Sequence, residues 1–566
     1  MAEAPQPGPA DVSSGALLSP STRKPSRFPT WIVSTVVFAG AAAGLVGLDR
    51  YFDEVVDERV EAGELAAAVG AQVAQLRAPG LGSGAADRSP AVGPGDGDQA
   101  LSTAIGSLVA EAAAPIERGP ARTLWVDTAS SGRPWSALGA AEGLLTFRGN
   151  PTRSYYGRGP VPERPRVLWT FDVGCSSSPV GGEPKVWCGS GWTGQPAVFR
   201  SPTTGAWWVA FGAYNRAVNF LDPDDGSSVL APYFTGDIVK GSVTVDPDGF
   251  PLLYTGSRDN FFHVVALDRT EPTALWTLSS EAVQPTLWNN DWDSSALVVD
   301  DYLIVGGENG RFFVVELGRS YDDDGLVTVD PRIVFSTESW DDELLASVGD
   351  LQVSIENSVA FGGDVVYFTN SAGLVQGWSL AGLDEGEEPT QVFRFWTGDD
   401  TDASIVIDEE GMLYLGAQYE RGNQRSRELG QIVKLDPSRP RDPVVWSVEA
   451  NEGIGSGVWA TPALHDDLLI VATDGGEVLG LDRDTGAERW RLDLPGPLWS
   501  SPVVVDDTLI QADCAGNLNA FDLSATGAPR QQWSVALGGC LESTPAVWDG
   551  HIYVGSRSGA FFAVGE

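Results

Sequence analysis

TPALHDDLLIVATDGGEVLGLDRDTGAERW (residues 461–490), SPVVVDDTLIQADCAGNLNAFDLSATGAPRQQW (501–533) and TPAVWDGHIYVGSRSGAFFAVGE (544–566) are three copies of one pattern. Each runs as a short apolar strand, an Asp or Asp-Gly turn, a second strand, a glycine-bearing turn and a third strand, and the first two copies continue through a further turn into a strand ending in Trp. One copy is therefore a four-stranded antiparallel meander. The end of its third strand recurs at Asp222, Asp268, Gly318, Ala381, Asp436, Asp482, Asp522 and Gly565. Intervals of about 40 to about 60 residues are the blade period of a β-propeller and not of a helical array. The expectation is an all-β fold, an eight-bladed β-propeller over residues 143–566.

The last copy stops after its third strand, whereas RVLWTF (166–171) stands alone before the first. Pairing the two completes the final blade and closes the ring, leaving no open edge at the seam. Trp169, Trp276, Trp446, Trp490 and Trp533, with Phe335 and Phe395 as substitutes, end the fourth strands, where neighbouring blades meet. These side chains are expected to be blade-to-blade docking elements, each worth roughly 3–5 kcal/mol on removal.

Upstream, WIVSTVVFAGAAAGLVGL (31–48) carries no charge over eighteen residues, a minimal bilayer span. Arg23, Lys24 and Arg27 precede it and Asp49, Asp53, Glu54, Asp57 and Glu58 follow, which predicts a cytoplasmic N-terminus and an extracytoplasmic remainder. The reading is a cytoplasmic tail (1–30), a transmembrane helix (31–48), a short helical stalk (49–77), a flexible Gly/Pro/Ser-rich linker (78–100) and a lead-in without assigned role (101–142). A cleaved signal peptide is the alternative, and either route exports the propeller. Four cysteines in an exported chain point to disulfides. Cys175 with Cys188 and Cys514 with Cys540 are the sequence-local pairs among the three pairings, each worth about 3 kcal/mol by chain entropy.

Of the 566 residues, 42% are hydrophobic and 20% charged, with 77 acidic against 36 basic groups and a net charge of −41. That balance argues against nucleic acid as a partner, since nothing would displace counterions from phosphates.

The segments SPVVVDDTLI, DGGEVLGLD and DTGAERW, with TFRGNPTRSYYGRGP (146–160), resemble the pyrroloquinoline quinone (PQQ)-like repeat propellers. That group includes quinoprotein alcohol dehydrogenases and the non-enzymatic BamB type. The resemblance implies the fold over about residues 143–566. For the dehydrogenases it also implies PQQ, a calcium ion held by carboxylate and amide oxygens, a catalytic aspartate and often an adjacent Cys-Cys disulfide. This chain has no adjacent cysteines and no CxxCH haem motif, its ligand positions do not map residue by residue, and three His and two Met leave few haem or copper ligands. No catalytic residue, metal or cofactor is assigned.

Two links between blades are unusually long and lie on one face of neighbouring blades. WNNDWD (288–293), SWDDELL (339–345) and IENS (355–358) offer Asn289, Asn290, Asp291, Asp293, Asp341, Asp342, Glu356 and Asn357 as a pocket or cation site, with Trp288, Trp292 and Trp340 as walls. The structural alternative is a short helix capped by Ser339, with Asp341, Asp342 and Glu343 in its first turn. DPDDG (222–226), DPDG (246–249) and YDDDG (321–325) read as turns, because none has the downstream Glu of an EF-hand loop.

The sequence therefore predicts a membrane-anchored, extracytoplasmic, monomeric binding scaffold for a protein or peptide partner. A PQQ- and calcium-dependent oxidoreductase and a small-ligand sensor are the alternatives.

Overall fold

Residues 124–135, 141–180, 182–192, 194–525 and 527–566 are described by the computed structural model. The predicted tail, transmembrane helix, stalk and linker, and most of the lead-in, lie outside the described residues. No helix among those described is long and apolar enough to cross a membrane.

Burial explains how the blades are written in sequence. The middle strands of a blade are covered on both faces by its neighbours, so they read as continuous apolar runs: Leu468–Ala472 and Tyr302–Gly306 are buried almost throughout. Outer strands face water on one side and alternate, as in Glu488–Asp493 and Arg166–Asp172. Eight sheets of this kind form the ring. Blades 1 to 8 begin with the inner strands Ala197–Arg200, Thr244–Val245, Leu297–Val299, Ala360–Gly362, Val406–Ile407, Ala463–His465, Val503–Val505 and Ala546–Trp548. In seven blades the pairing of third and fourth strands shifts register at the same place, a bulge that adds twist to the outer edge.

The ring closes as expected. Arg166–Asp172 pairs antiparallel with Ala560–Gly565 and forms the outer strand of blade 8. Trp169 is 9% exposed, donates its indole N–H to the Pro223 carbonyl of blade 1 and lies over Gly226. Trp446 does the same at blade 6, donating to Arg483 O over Gly486. Trp490 is buried, while Trp276 and Trp533 are half-buried. Gly486 has φ +73°, and a Cβ there would stand 2.8 Å from the Trp446 ring. Gly486→Ala is expected to cost about 2–3 kcal/mol in urea unfolding, against about 1 kcal/mol for Gly205→Ala, where φ is also positive but space is open.

Near the axis the blades are joined by a belt of small hydroxyls, the Ser or Thr that opens blades 2 to 8, with Gln195 at the matching position of blade 1. The backbone N–H of Gln195 donates to Ser242 Oγ, Ser295 to Ser358, Ser358 to Ser404, Ser404 to Thr461, Thr461 to Ser501 and Ser501 to Thr544, at 2.8–3.3 Å. Thr544 N–H returns to Gly194 O.

On one side of this belt the segment 143–158 plugs the channel. Gly143 and Leu144 pair with blade 1; Leu145, Pro151 and Thr152 accept from Val245, Phe361 and Ile407 of blades 2, 4 and 5. The Tyr156 hydroxyl accepts from Leu464 N–H of blade 6, and Gly157–Arg158 pairs with blade 8. Arg148 and Arg153, both fully buried and both with φ near +60°, fix the plug to the wheel. Arg148 donates to Pro462 O and Pro502 O, and Arg153 to Val359 O, Ser295 O, Phe147 O and Thr146 Oγ1.

Candidate functional site: the axial mouth

With one end of the channel plugged, the other end is a mouth built from the links that lead into each inner strand. Two residues before the belt hydroxyl stand Lys240, Asp293, Glu356, Asp402, Trp459, Trp499 and Glu542 in blades 2 to 8, and in blade 1 Trp192 stands one residue earlier. Their contacts run across the axis. Trp192 of blade 1 meets Trp459 of blade 6 at 5.4 Å and Trp499 of blade 7 at 6.5 Å, while Trp459 and Trp499 stack at 5.4 Å. Trp499 also donates its indole N–H to Asp474 Oδ1 at 2.7 Å.

The opposite arc is charged. Lys240 Nζ lies 2.6 Å from Asp293 Oδ2 and 3.7 Å from Glu308 Oε1. Carboxylate oxygens of Asp293, Glu308 and Glu356 all lie within 4.8 Å of one another. Arg258 pairs with Asp291, and Asn289 donates to Glu308 Oε2 at 2.8 Å. Further round, Asp402 accepts from Gln418, and Arg421 pairs with Asp350 beside Asp400. At blade 8 Glu542 holds Arg557 at 3.2 Å and accepts from the backbone N–H of Trp192. The Tyr214 hydroxyl, fully buried near Glu542 and Lys240, has no hydrogen-bond partner among the described residues.

Both disulfides form as the local pairs, and both brace this face. Cys514 lies in an inner turn of blade 7 and Cys540 two residues before Glu542. Cys175–Cys188 ties the base of a hairpin whose Trp187 packs on Tyr214, Arg258 and Arg557.

The sequence candidates divide. Asp291, Asp293 and Glu356 reach the mouth, and Asn289 is bound to it through Glu308. Asn290 follows in the same link, its N–H turned onto Asn289 Oδ1. Trp292 is not a wall: it is fully buried in the core between Phe262 and Phe313. Asn357 is structural, its amide donating to Thr369 O and Thr401 O. Asp342 opens a short helix, Asp342–Val348, with Trp340 and Asp341 just ahead of it, and Asp341 is tied to Arg394. Its N-cap is Asp341, which accepts from Leu344 N–H; Ser339 instead donates to Val353 O because it lies too far upstream to cap. Trp340 packs with Leu344 and Val353. Trp288 adopts φ +75° in the link. The aspartate strings are turns, with Asp222, Asp246 and Asp322 each accepting from an N–H two residues on. Lys240, Arg258, Glu308, Asp400, Asp402, Trp192, Trp459 and Trp499 were not legible as site residues. The signal that exposes four of them, Lys240, Asp402, Trp459 and Trp499, is register, the position two before the repeated Ser or Thr.

Calcium and PQQ do not fit this mouth as built. The three clustered carboxylates are the natural seat for a divalent ion, but the Lys240 ammonium already holds two of them. Trp459 and Trp499 stack at 5.4 Å and Trp192 stands steeply inclined to both, so the three rings form no parallel slot wide enough for a planar quinone.

Crowded carboxylates change the proton balance. Burial lifts the Asp291 carboxyl to about 6, and burial plus mutual repulsion pushes Glu308, Asp400 and Asp402 well above the usual range. For Lys240 burial opposes the charge, but Asp293 and Glu308 outweigh it and hold the ammonium protonated. A carboxyl that binds its proton more tightly folded than unfolded makes stability fall as pH rises from near 4 through its raised folded pKa. Asp402→Asn is expected to gain on the order of 1–2 kcal/mol at pH 7 and to flatten the loss of stability between pH 5 and 8 in urea titrations.

The family described as outer membrane protein assembly factor BamB matches residues 428–565. The BamB of Nitrosomonas eutropha is 33% identical over 103 residues, 18% of this chain and 23% of that protein. The match thus spans about a quarter of that relative's length. Quinohemoprotein alcohol dehydrogenase from Comamonas testosteroni superposes with TM-score 0.51 at 11% identity, covering 78% of this chain and 84% of that one. A europium-containing methanol dehydrogenase gives 0.51 at 12%, covering 75% and 98%. BamB from Moraxella catarrhalis gives 0.46 at 16%, covering 71% and 98%. These likenesses concern the propeller fold.

Proposed function

We propose that the propeller is a binding module and not an oxidoreductase. The observation that carries this reading is the Lys240 ammonium placed between Asp293 and Glu308, in the carboxylate cluster that a divalent ion would need. A mouth closed behind by the plug, lined by tryptophan on one arc and carboxylate on the other, is suited to holding a group that enters from one side. The two disulfides support residence in an oxidising compartment, in keeping with an anchor at residues 31–48 and an extracytoplasmic wheel. The partner, on this reading, is a protein or peptide, and the net charge of −41 favours a basic one.

Incubating the full-length protein with PQQ and calcium is expected to give neither bound quinone absorbance nor dye-linked alcohol oxidation. Oxidation that depends on both additions would overturn the reading. Cross-linking from the mouth face in native membranes should capture a partner through residues on that face, and a capture that ignores the mouth would place binding elsewhere on the wheel.

A further inference from the structure

The mouth already contains one example of the chemistry it recognises. Lys240 presents a primary alkylammonium, and the protein holds it with two carboxylates, Asp293 and Glu308. The acidic arc continues past that pair. Asp400 and Asp402 are both repelled by Glu356 and Glu420, and Arg421, the cation that bears on Asp400, is itself engaged with Asp350. One acceptor is left over: Asp293 Oδ1, on a side chain 2% exposed, has no hydrogen-bond donor among the described residues, while Asp400 and Asp402 bond to each other.

The neighbouring arc is aromatic, because Asp402 of blade 5 is followed round the rim by Trp459 and Trp499. Trp192, Trp499 and Glu356 are half-buried and so are reachable by an incoming group, whereas Trp459 behind them is buried, as are the Oδ1 atoms of Asp400 and Asp402. Indole faces attract organic cations and cover methylene chains, and they add nothing for a hard metal ion, which wants six to eight oxygens. A carboxylate arc beside an indole arc therefore selects a charge carried on carbon.

We propose that the axial mouth binds an alkylammonium group, with its charge on Glu356, Asp400 and Asp402 and its carbon chain against Trp192 and Trp499. A free aliphatic amine and a lysine side chain offered by a partner share this chemistry. The inference rests on the binding-module reading and names the ligand class of the same site.

The test is calorimetric titration of the full-length protein with 1,5-diaminopentane, with tryptophan fluorescence as a second readout. 1-Pentanol keeps the chain without the charge, calcium chloride the charge without the chain. Saturable binding of the diamine is expected, with a fluorescence change, and no saturable signal from either control. Asp402→Asn and Trp499→Leu should each weaken it about tenfold while thermal unfolding without ligand confirms a folded wheel. A capped Gly-Lys-Gly peptide binding more tightly than the diamine would identify a partner's lysine as the source, and the reverse a free amine; either result supports the proposal.

Absence of saturable binding up to about 10 mM diamine overturns it. So does calcium binding in the diamine's place, or diamine binding that both variants leave unchanged. Quinone-dependent oxidation would instead bring down the binding-module reading whatever the diamine does. A partner captured at the mouth face without diamine or peptide binding would bring down this inference alone.

Discussion

Arg153→Ala is expected to destabilise the propeller by about 3–5 kcal/mol, more than any single substitution on its surface. The guanidinium is fully buried and makes four hydrogen bonds, to Val359 O at 2.8 Å, Ser295 O at 2.9 Å, Phe147 O at 2.8 Å and Thr146 Oγ1 at 3.1 Å. Three acceptors are carbonyls with no route to water, and alanine leaves each without its donor. Burial lowers the Arg153 pKa only to about 9, so the group stays charged at neutral pH and the bonds are charge-assisted. Arg153→Lys replaces a planar fork by a single ammonium and should recover less than half of the loss. Urea unfolding at pH 7 reads both variants. Because Arg153 links the plug to blades 3 and 4, proteolysis near residues 143–158 should quicken along with the loss of stability.

Trp169→Ala should cost a similar amount, about 3–5 kcal/mol, through a different route. The indole sits between Tyr553 and Phe561 of its own blade, with ring centroids at 6.0 and 6.2 Å, and covers Gly226 of blade 1 while bonding to Pro223 O. It therefore joins blade 1 to the blade that is built from both ends of the propeller. Trp533→Ala, half-buried at the junction of blades 7 and 8 and bonded to Pro162 O at 2.9 Å, is expected to cost about half as much, since less apolar surface is lost. Thermal unfolding of the two variants side by side ranks them. Equal losses would show that the seam has no special weight.

Much of this architecture was legible because a blade is a local object. Its strands are separated by short turns, and the periods of Asp, Gly and Trp repeat with them, so blade number, the Trp169 closure and both disulfides followed from sequence. The mouth was harder to read because it is assembled from single residues of eight blades, hundreds of positions apart. Trp192 and Trp499 meet although they stand 307 positions apart in the chain (499 minus 192), and no local pattern announces that. The acidic links at 288–293 and 355–358 pointed to the right arc, but composition alone could not separate Asp293, turned onto Lys240, from Asp341, spent on a helix terminus and Arg394. Arg148 and Arg153 lie in a recognisable segment, yet their role depends on the carbonyls of Pro462, Pro502 and Val359, which only the closed ring brings together.

The most direct test of the closed, plugged wheel is hydrogen–deuterium exchange resolved to peptides on both sides of the seam. Amides of Arg166–Asp172 should exchange as slowly as those of Ala560–Gly565, and Trp169→Ala should release the two segments together. Rapid exchange of the first segment while the second stays protected would contradict the account, because the ring would then be open at blade 8.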